Sequence, residues 1–344
     1  MKDSCPSDQE WKQLYTAAIT FKEIKCWDWM DDTELFGVQN PADGEIGYCC
    51  VLGALGEVFG LNVYLGTDGL QGYFRLQSAE DIEIDQIEAL YLQKSLALTF
   101  ENKALLQKMD RQVVNRLGLN FKGRKAWPFF RSYQPGFQPW YLTKEEALFF
   151  TLALEQAKKV ALDFREDWHL LNPPSKEHCL VRVAAGEGES LEWKNQWVKF
   201  PQLGKAGFVV PAVDEIRLKR IEDAEFPKAN IWECDFFYVP AAIQGEDRPY
   251  FPIAFLWVDQ KTGFVLKHEL FEHADYQPNL QKAFMKTVED TKFLPQEVRV
   301  RKEETYKLLE PITRKLGIRL ILTKSTPALQ EAQGALLGFL MPEK

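Results

Sequence analysis

The carboxylate of Asp235 sits in a mostly apolar run of extended character, Ile231–Ile243, between Cys234 and Phe236. Successive side chains of a strand face opposite sides of the sheet, so an acid there points onto a covered face or along a rim. A buried carboxylate is costly without a partner, and this makes Asp235 the strongest single candidate for a functional group. Two kinds of partner suit it. One is a divalent cation, which takes anionic oxygen ligands. The other is a salt bridge to Arg299 or Arg301 on a neighbouring strand. Asp259 reads more simply as the first residue of the turn Asp259-Gln-Lys-Thr-Gly263.

Other chemistries find little to work with. The histidines are His169, His178, His268 and His273, and the last two straddle a strand end and a turn instead of one helix face. They therefore lack the two-histidine geometry of zinc enzymes. The six cysteines (Cys5, Cys26, Cys49, Cys50, Cys179, Cys234) show no C-x-x-C spacing. They are expected to be free in a reducing cytoplasm, with Cys49 and Cys50 as small buried hydrophobes. No Gly-x-Ser-x-Gly elbow is present, and Gly53, Gly56 and Gly60 fit neither phosphate-loop spacing.

The elements that must position these residues divide the chain. Trp11, Leu14, Tyr15, Ala18 and Ile19 recur at helical spacing and predict a helix over 8–26. Short apolar runs cut by turn residues follow (Leu35–Val38, Tyr48–Leu55, Leu61–Leu65, Tyr73–Leu76) and read as an antiparallel meander. Helices are predicted over 84–98 and 101–117. The stretch 127–141 then packs seven aromatics and three prolines into fifteen residues. Its Trp127, Arg131, Tyr133 and Trp140 are candidate binding residues, since Trp, Tyr and Arg dominate recognition hot spots. An extended loop whose rings cap the core is the alternative. Thr143-x-x-Glu146 forms a capping box that opens a long buried helix over 144–165.

Asn172-Pro173-Pro174 ends that unit, and residues 171–225 read as a bridging module, which could belong to either neighbour, of two strands joined across the turn 186–190 and a short helix. The expected domains are thus 1–170 (α+β), 171–225 (bridge) and 226–344. In the last, three hairpin-linked strands precede strand–helix alternation, which predicts a mixed α/β sheet covered by helices. Its final helix starts at Pro327, capped by Ser325 or Thr326.

That order, with Trp232-Glu-Cys-Asp235 in the first strand and Lys324-Ser-Thr-Pro327 leading into the last helix, resembles the RNase H-like superfamily, above all its integrase and transposase core. The resemblance implies a two-metal phosphodiester chemistry, with Asp235 on the first strand and Glu331 on the last helix as acids and Mg²⁺ or Mn²⁺ as the ion. Where the family carries its second Asp, this chain reads Val298-Arg299-Val300-Arg301-Lys302. A cation there repels a metal ion, and Glu303 or Glu304 could substitute only with a shift of register. The motif Trp127-Pro-Phe-Phe-Arg-Ser-Tyr-Gln-Pro-Gly-Phe-Gln-Pro-Trp140, together with the Trp232-Glu-x-Asp235 domain, also resembles a bacterial family of two-domain proteins of unknown function.

Charge bounds the partners. The net charge is −8, and residues 226–344 hold 16 Lys+Arg against 16 Asp+Glu, so the excess acid lies in the first 225 residues. Neither part has the basic surplus of a nucleic-acid binder. No signal peptide and no membrane-spanning stretch is read. The expectation is a binding protein without a cofactor, its partner a protein or small molecule, built on a degenerate RNase H-like domain. The alternative is a metal-dependent phosphodiesterase using Asp235 and Glu331.

Overall fold

The computed structural model describes residues 5–77, 91, 93–185, 192–202 and 210–340. They form two compact units, Met1–Pro135 with Pro139–Gly204, and Gly136–Gln138 with Lys205–Lys344.

The first unit is built on a seven-stranded sheet. Its strands are β1 (Phe36–Gln39), β2 (Ile46–Leu52), β3 (Gly60–Leu65), β4 (Ser95–Glu101), β5 (Trp127–Tyr133), β6 (His178–Ala185) and β7 (Glu192–Lys199), in the order β5-β4-β3-β2-β1-β6-β7. All neighbours are antiparallel except β1 and β6. Helix α1 (Asp8–Ile24) and helix α4 (Lys144–Glu166) bury Leu14, Phe21, Phe150 and Leu154 in one core with Phe36, Val63 and Leu96 of the sheet. The capping box of α4 forms as its sequence dictates. Thr143 N–H donates to Glu146 at 2.8 Å, and Glu146 N–H donates to the Thr143 hydroxyl at 3.2 Å. Helix α2 (Gly66–Gln77) brings Leu70 and Tyr73 against Tyr48 and Tyr64 in a separate cluster.

Several elements differ from their sequence reading. Tyr73–Leu76 lies in helix α2, not in a strand. Of the helix expected over 84–98, residues 84–90 lie outside the described residues, and Ser95–Glu101 is strand β4. The helix expected over 101–117 contracts to α3 (Lys108–Arg116). The aromatic stretch begins as β5, the terminal strand of the sheet, where the missing N–H of Pro128 is tolerated. Residues 171–225 form no module of their own: β6 and β7 extend the first sheet, and α5 (Glu215–Asp223) lies in the second unit. The turn 186–190 lies outside the described residues.

The second unit carries the mixed sheet expected of an RNase H-like domain. Strands β8 (Ile231–Tyr238), β9 (Ile253–Asp259), β10 (Val265–Phe271), β11 (Glu297–Val300) and β12 (Arg319–Leu322) follow the order β10-β9-β8-β11-β12. β8, β9 and β10 pair antiparallel, while β11 pairs parallel to both β8 and β12. Helices α6 (Tyr276–Thr291), α7 (Glu303–Lys315) and α8 (Pro327–Leu340) alternate with the later strands. Trp232 and Phe236 of β8 meet Phe284 and Tyr276 of α6, whereas Phe237 belongs to a cluster with Leu329 of α8. Glu233 and Asp235 share the face of Phe237 by strand alternation.

Gly136–Gln138 join this unit through its backbone. Phe251 N–H donates to the Gly136 carbonyl at 2.7 Å, and Gln138 N–H to that of Pro249 at 2.9 Å. Gly136 has φ +80, as the third position of a type II turn requires, and a Cβ there would lie 2.4 Å from Cβ of His273.

Candidate functional site

Asp235 is 5% exposed, and each of its carboxylate oxygens accepts two hydrogen bonds. Oδ2 takes the N–H groups of Arg301 at 2.7 Å and Lys302 at 3.0 Å, where the chain leaves β11 and enters α7. Oδ1 takes the Phe236 N–H at 3.1 Å and the buried hydroxyl of Thr305 in the first turn of α7. A carboxylate offers about four acceptor positions, so this one is saturated. Burial pushes the carboxyl above its ordinary range, opposed by the Lys302 charge, the Thr305 hydroxyl and the two N–H groups. Lys302 Nζ itself lies over the Phe236 ring, 4.0 Å from its centre.

The partner expected from sequence is therefore replaced. Arg299 turns to Glu297 at 2.6 Å, and Arg319 reaches the other oxygen of the same carboxylate at 3.4 Å. It is the backbone N–H of Arg301, not its guanidinium, that meets Asp235. The possible substitute acids are engaged as well, Glu303 with Lys307 at 3.1 Å and Glu304 with the Tyr276 hydroxyl. Glu331 is exposed on α8 and lines a groove with Leu256, Val265, His268, Ala332 and Leu336; Asp235 does not line it. Among the described residues, no group of three or more His, Cys, Asp or Glu is placed to hold a metal ion.

A second acid on β8 escaped the sequence reading. Glu233 is fully buried, and its Oε2 accepts the Leu329 N–H of α8 at 3.0 Å. Thr326, one of the two expected caps, has a buried hydroxyl with no hydrogen-bond partner. The cap of α8 thus comes from a neighbouring strand, because the glutamate already lies beneath the helix start. Spacing held the signal, since Glu233 and Asp235 are two residues apart in an apolar strand and must share a face. Asp259 keeps its turn role, accepting from the Thr262 N–H and hydroxyl, both at 2.9 Å.

The aromatic candidates separate. Trp127 is buried in the core of the first unit, with Lys103 Nζ over its ring at 5.3 Å. Arg131 is 3% exposed and grips Asp110 of α3 through both terminal nitrogens, at 2.9 and 2.8 Å. The Phe129 and Tyr141 rings lie 3.7 and 4.8 Å from that guanidinium. Both residues are thus withdrawn from any binding surface, Arg131 by its pairing with Asp110 and Trp127 by packing against Phe121, with ring centres 5.4 Å apart. Tyr133 and Trp140 remain half-buried.

The other titratable groups serve local structure. His169 meets Asn172 at 2.9 Å, His178 meets Ser175 at 2.8 Å, and His273 Nδ1 meets the Tyr238 hydroxyl at 2.7 Å. Five of the six cysteines are buried, and burial pushes the thiols of Cys26, Cys50 and Cys179 up to about 12. Such thiols are poor nucleophiles. Among the described residues, no helix is long and apolar enough to cross a membrane.

Residues 11–182, half of the chain, match the family model of a domain of unknown function (DUF7309). The chain belongs to the DUF7309 family. Beyond the DUF7309 match, residues 217–337 match a second domain of unknown function (DUF6930). No curated protein matches. Among solved structures, the catalytic core domain of BIV integrase is 14% identical, over 31% of this chain and 66% of its own, with a TM-score of 0.24. The simian T-cell lymphotropic virus intasome in complex with PP2A regulatory subunit B56 gamma is 12% identical over 53% of each chain, also with a TM-score of 0.24. The chain spans less than two thirds of either chain. The RNase H-like fold of the DUF6930 part rests on its own strand order instead.

Proposed function

We propose that this protein works by recognition, its RNase H-like unit retaining the fold while the metal position serves structure. One observation carries this reading: the Asp235 carboxylate has its acceptor positions filled by three N–H groups and a hydroxyl. A ligand for Mg²⁺ or Mn²⁺ needs a free oxygen lone pair, and freeing one here would break bonds at the start of α7. The Arg301-Lys302 pair, where the resemblance places a second acid, supports the same conclusion.

The recognised partner is a protein or small molecule. The acidic balance argues against nucleic acid. In the aromatic stretch, Tyr133 and Trp140 retain the partial exposure that contact requires. Free and mostly buried thiols fit a reducing compartment, which we take to be a bacterial cytoplasm.

Calorimetric titration with Mn²⁺, beside a phosphodiester hydrolysis assay in Mg²⁺ and in Mn²⁺, tests this. The expected result is no saturable heat and no turnover. Micromolar Mn²⁺ binding that disappears in Asp235→Asn would overturn the proposal and restore the metal-enzyme reading.

A further inference from the structure

A groove runs beside α8 among the described residues of the second unit. Helix α8 lies over β8 and β9, leaving β10 at the edge of the sheet. Between them is a volume of about 530 Å³ lined by Leu256, Val265, Ala332 and Leu336, with His268 and Glu331 as its titratable groups. That volume and an apolar lining with few polar groups are the hallmarks of small-molecule sites, which run to about 300–1,000 Å³.

Charge narrows the ligand. Glu331 is exposed and makes no ion pair among the described residues. No Lys or Arg lines the groove, so its carboxylate is uncompensated there. An anionic ligand meets repulsion, and a neutral one leaves the carboxylate unused. A ligand with an apolar body and one basic nitrogen matches both the lining and the charge, with His268 offering a second polar contact.

We propose that the groove between α8 and β10 binds a small amphiphilic amine, its ammonium on Glu331 and its apolar body along Leu256, Val265, Ala332 and Leu336. This rests on the recognition reading but names its ligand class and site, and the two fail separately: Mn²⁺ binding tests Asp235, amine binding tests the groove.

The test uses the full chain with n-octylammonium, octanol and octanoate as probes, followed by NMR shift titration. Saturable one-to-one binding is expected for the amine. An exposed carboxylate–ammonium contact should make it about two- to five-fold tighter than the alcohol, with the carboxylate probe weakest. Glu331→Gln, an exposed substitution that leaves the core intact, should erase the difference between amine and alcohol. Ala332→Trp, checked for folding by circular dichroism, should fill the groove and abolish both. The proposal is overturned if the amine shows no saturable binding, if the three probes bind alike, or if amine binding persists in a folded Ala332→Trp protein.

Discussion

Removing the Asp235 carboxylate distinguishes a structural acid from a metal ligand by the sign of the stability change. In Asp235→Ala four donors lose their acceptor: the N–H groups of Phe236, Arg301 and Lys302, and the Thr305 hydroxyl. Arg301 is exposed and Lys302 half-buried, so water can reach their N–H groups and the loss resembles that of a helix cap, about 1 kcal/mol. Asp235 and Thr305 are buried, and the two donors left there cost about 1–3 kcal/mol each. Relief of a buried charge offsets part of this, leaving a net loss of about 3–5 kcal/mol. An acid held open for an absent metal behaves the other way, because neutralising it removes an unpartnered charge and stabilises the metal-free fold. Hydrogen exchange of the β8 and α7 peptides in EDTA reads the second unit without requiring two-state unfolding of the chain. Thr305→Val completes a double-mutant cycle, with a coupling of about 1–2 kcal/mol expected for a direct hydrogen bond to a charged group. Unchanged or slower exchange in Asp235→Ala, or zero coupling in the cycle, would refute the reasoning.

Other outcomes follow from the same structure. Arg131→Met should destabilise the first unit by about 3–5 kcal/mol by stranding the Asp110 charge, and Arg131→Met with Asp110→Leu should recover much of the loss, as thermal unfolding will show. Burial holds the pKa of His273 below 6.5, so His273 contributes stability that is complete above pH 6.5 and is lost as pH falls through the depressed folded value. His273→Gln should flatten that part of the stability–pH curve measured by urea unfolding. Fluorescence anisotropy at about 150 mM salt should show no sub-micromolar binding of single-stranded or duplex DNA, because a phosphate-tracking surface needs clustered cations.

Legibility in the sequence follows how locally each feature is encoded. The capping box at Thr143, the meander of β1–β3 and the strand–helix order of the second unit were readable because their determinants lie within a few residues. Helix α2 was not, since Gly66, Gly69 and Gly72 look like turn punctuation until the sheet beneath supplies the apolar contact for Leu70 and Tyr73. Strand β5 was masked by prolines that an edge position tolerates. The partners of Arg131 and Asp235 lie 21 and 66 residues away along the chain, at Asp110 and Arg301, so sequence could mark Asp235 as costly to bury and Arg131 as a binding candidate without naming the partner of either.

The two acids of β8 give that last point its wider sense. Glu233 and Asp235 project from one face of one strand, and each ends at the start of a different helix, Glu233 at α8 and Asp235 at α7. Helix starts present unpaired N–H groups and the positive end of the backbone dipole, equivalent to roughly half a unit charge. A strand carboxylate beneath such an end can accept hydrogen bonds there and gains a modest favourable interaction with that partial charge. Neither helix is capped by its own side chain, Lys302 and Thr326 making no such bond, and the strand acids take that place, although Glu233 Oε1 stays buried without a partner. Binding a metal at Asp235 would therefore require breaking the bonds that Arg301 and Lys302 N–H and the Thr305 hydroxyl make to it where the chain enters α7.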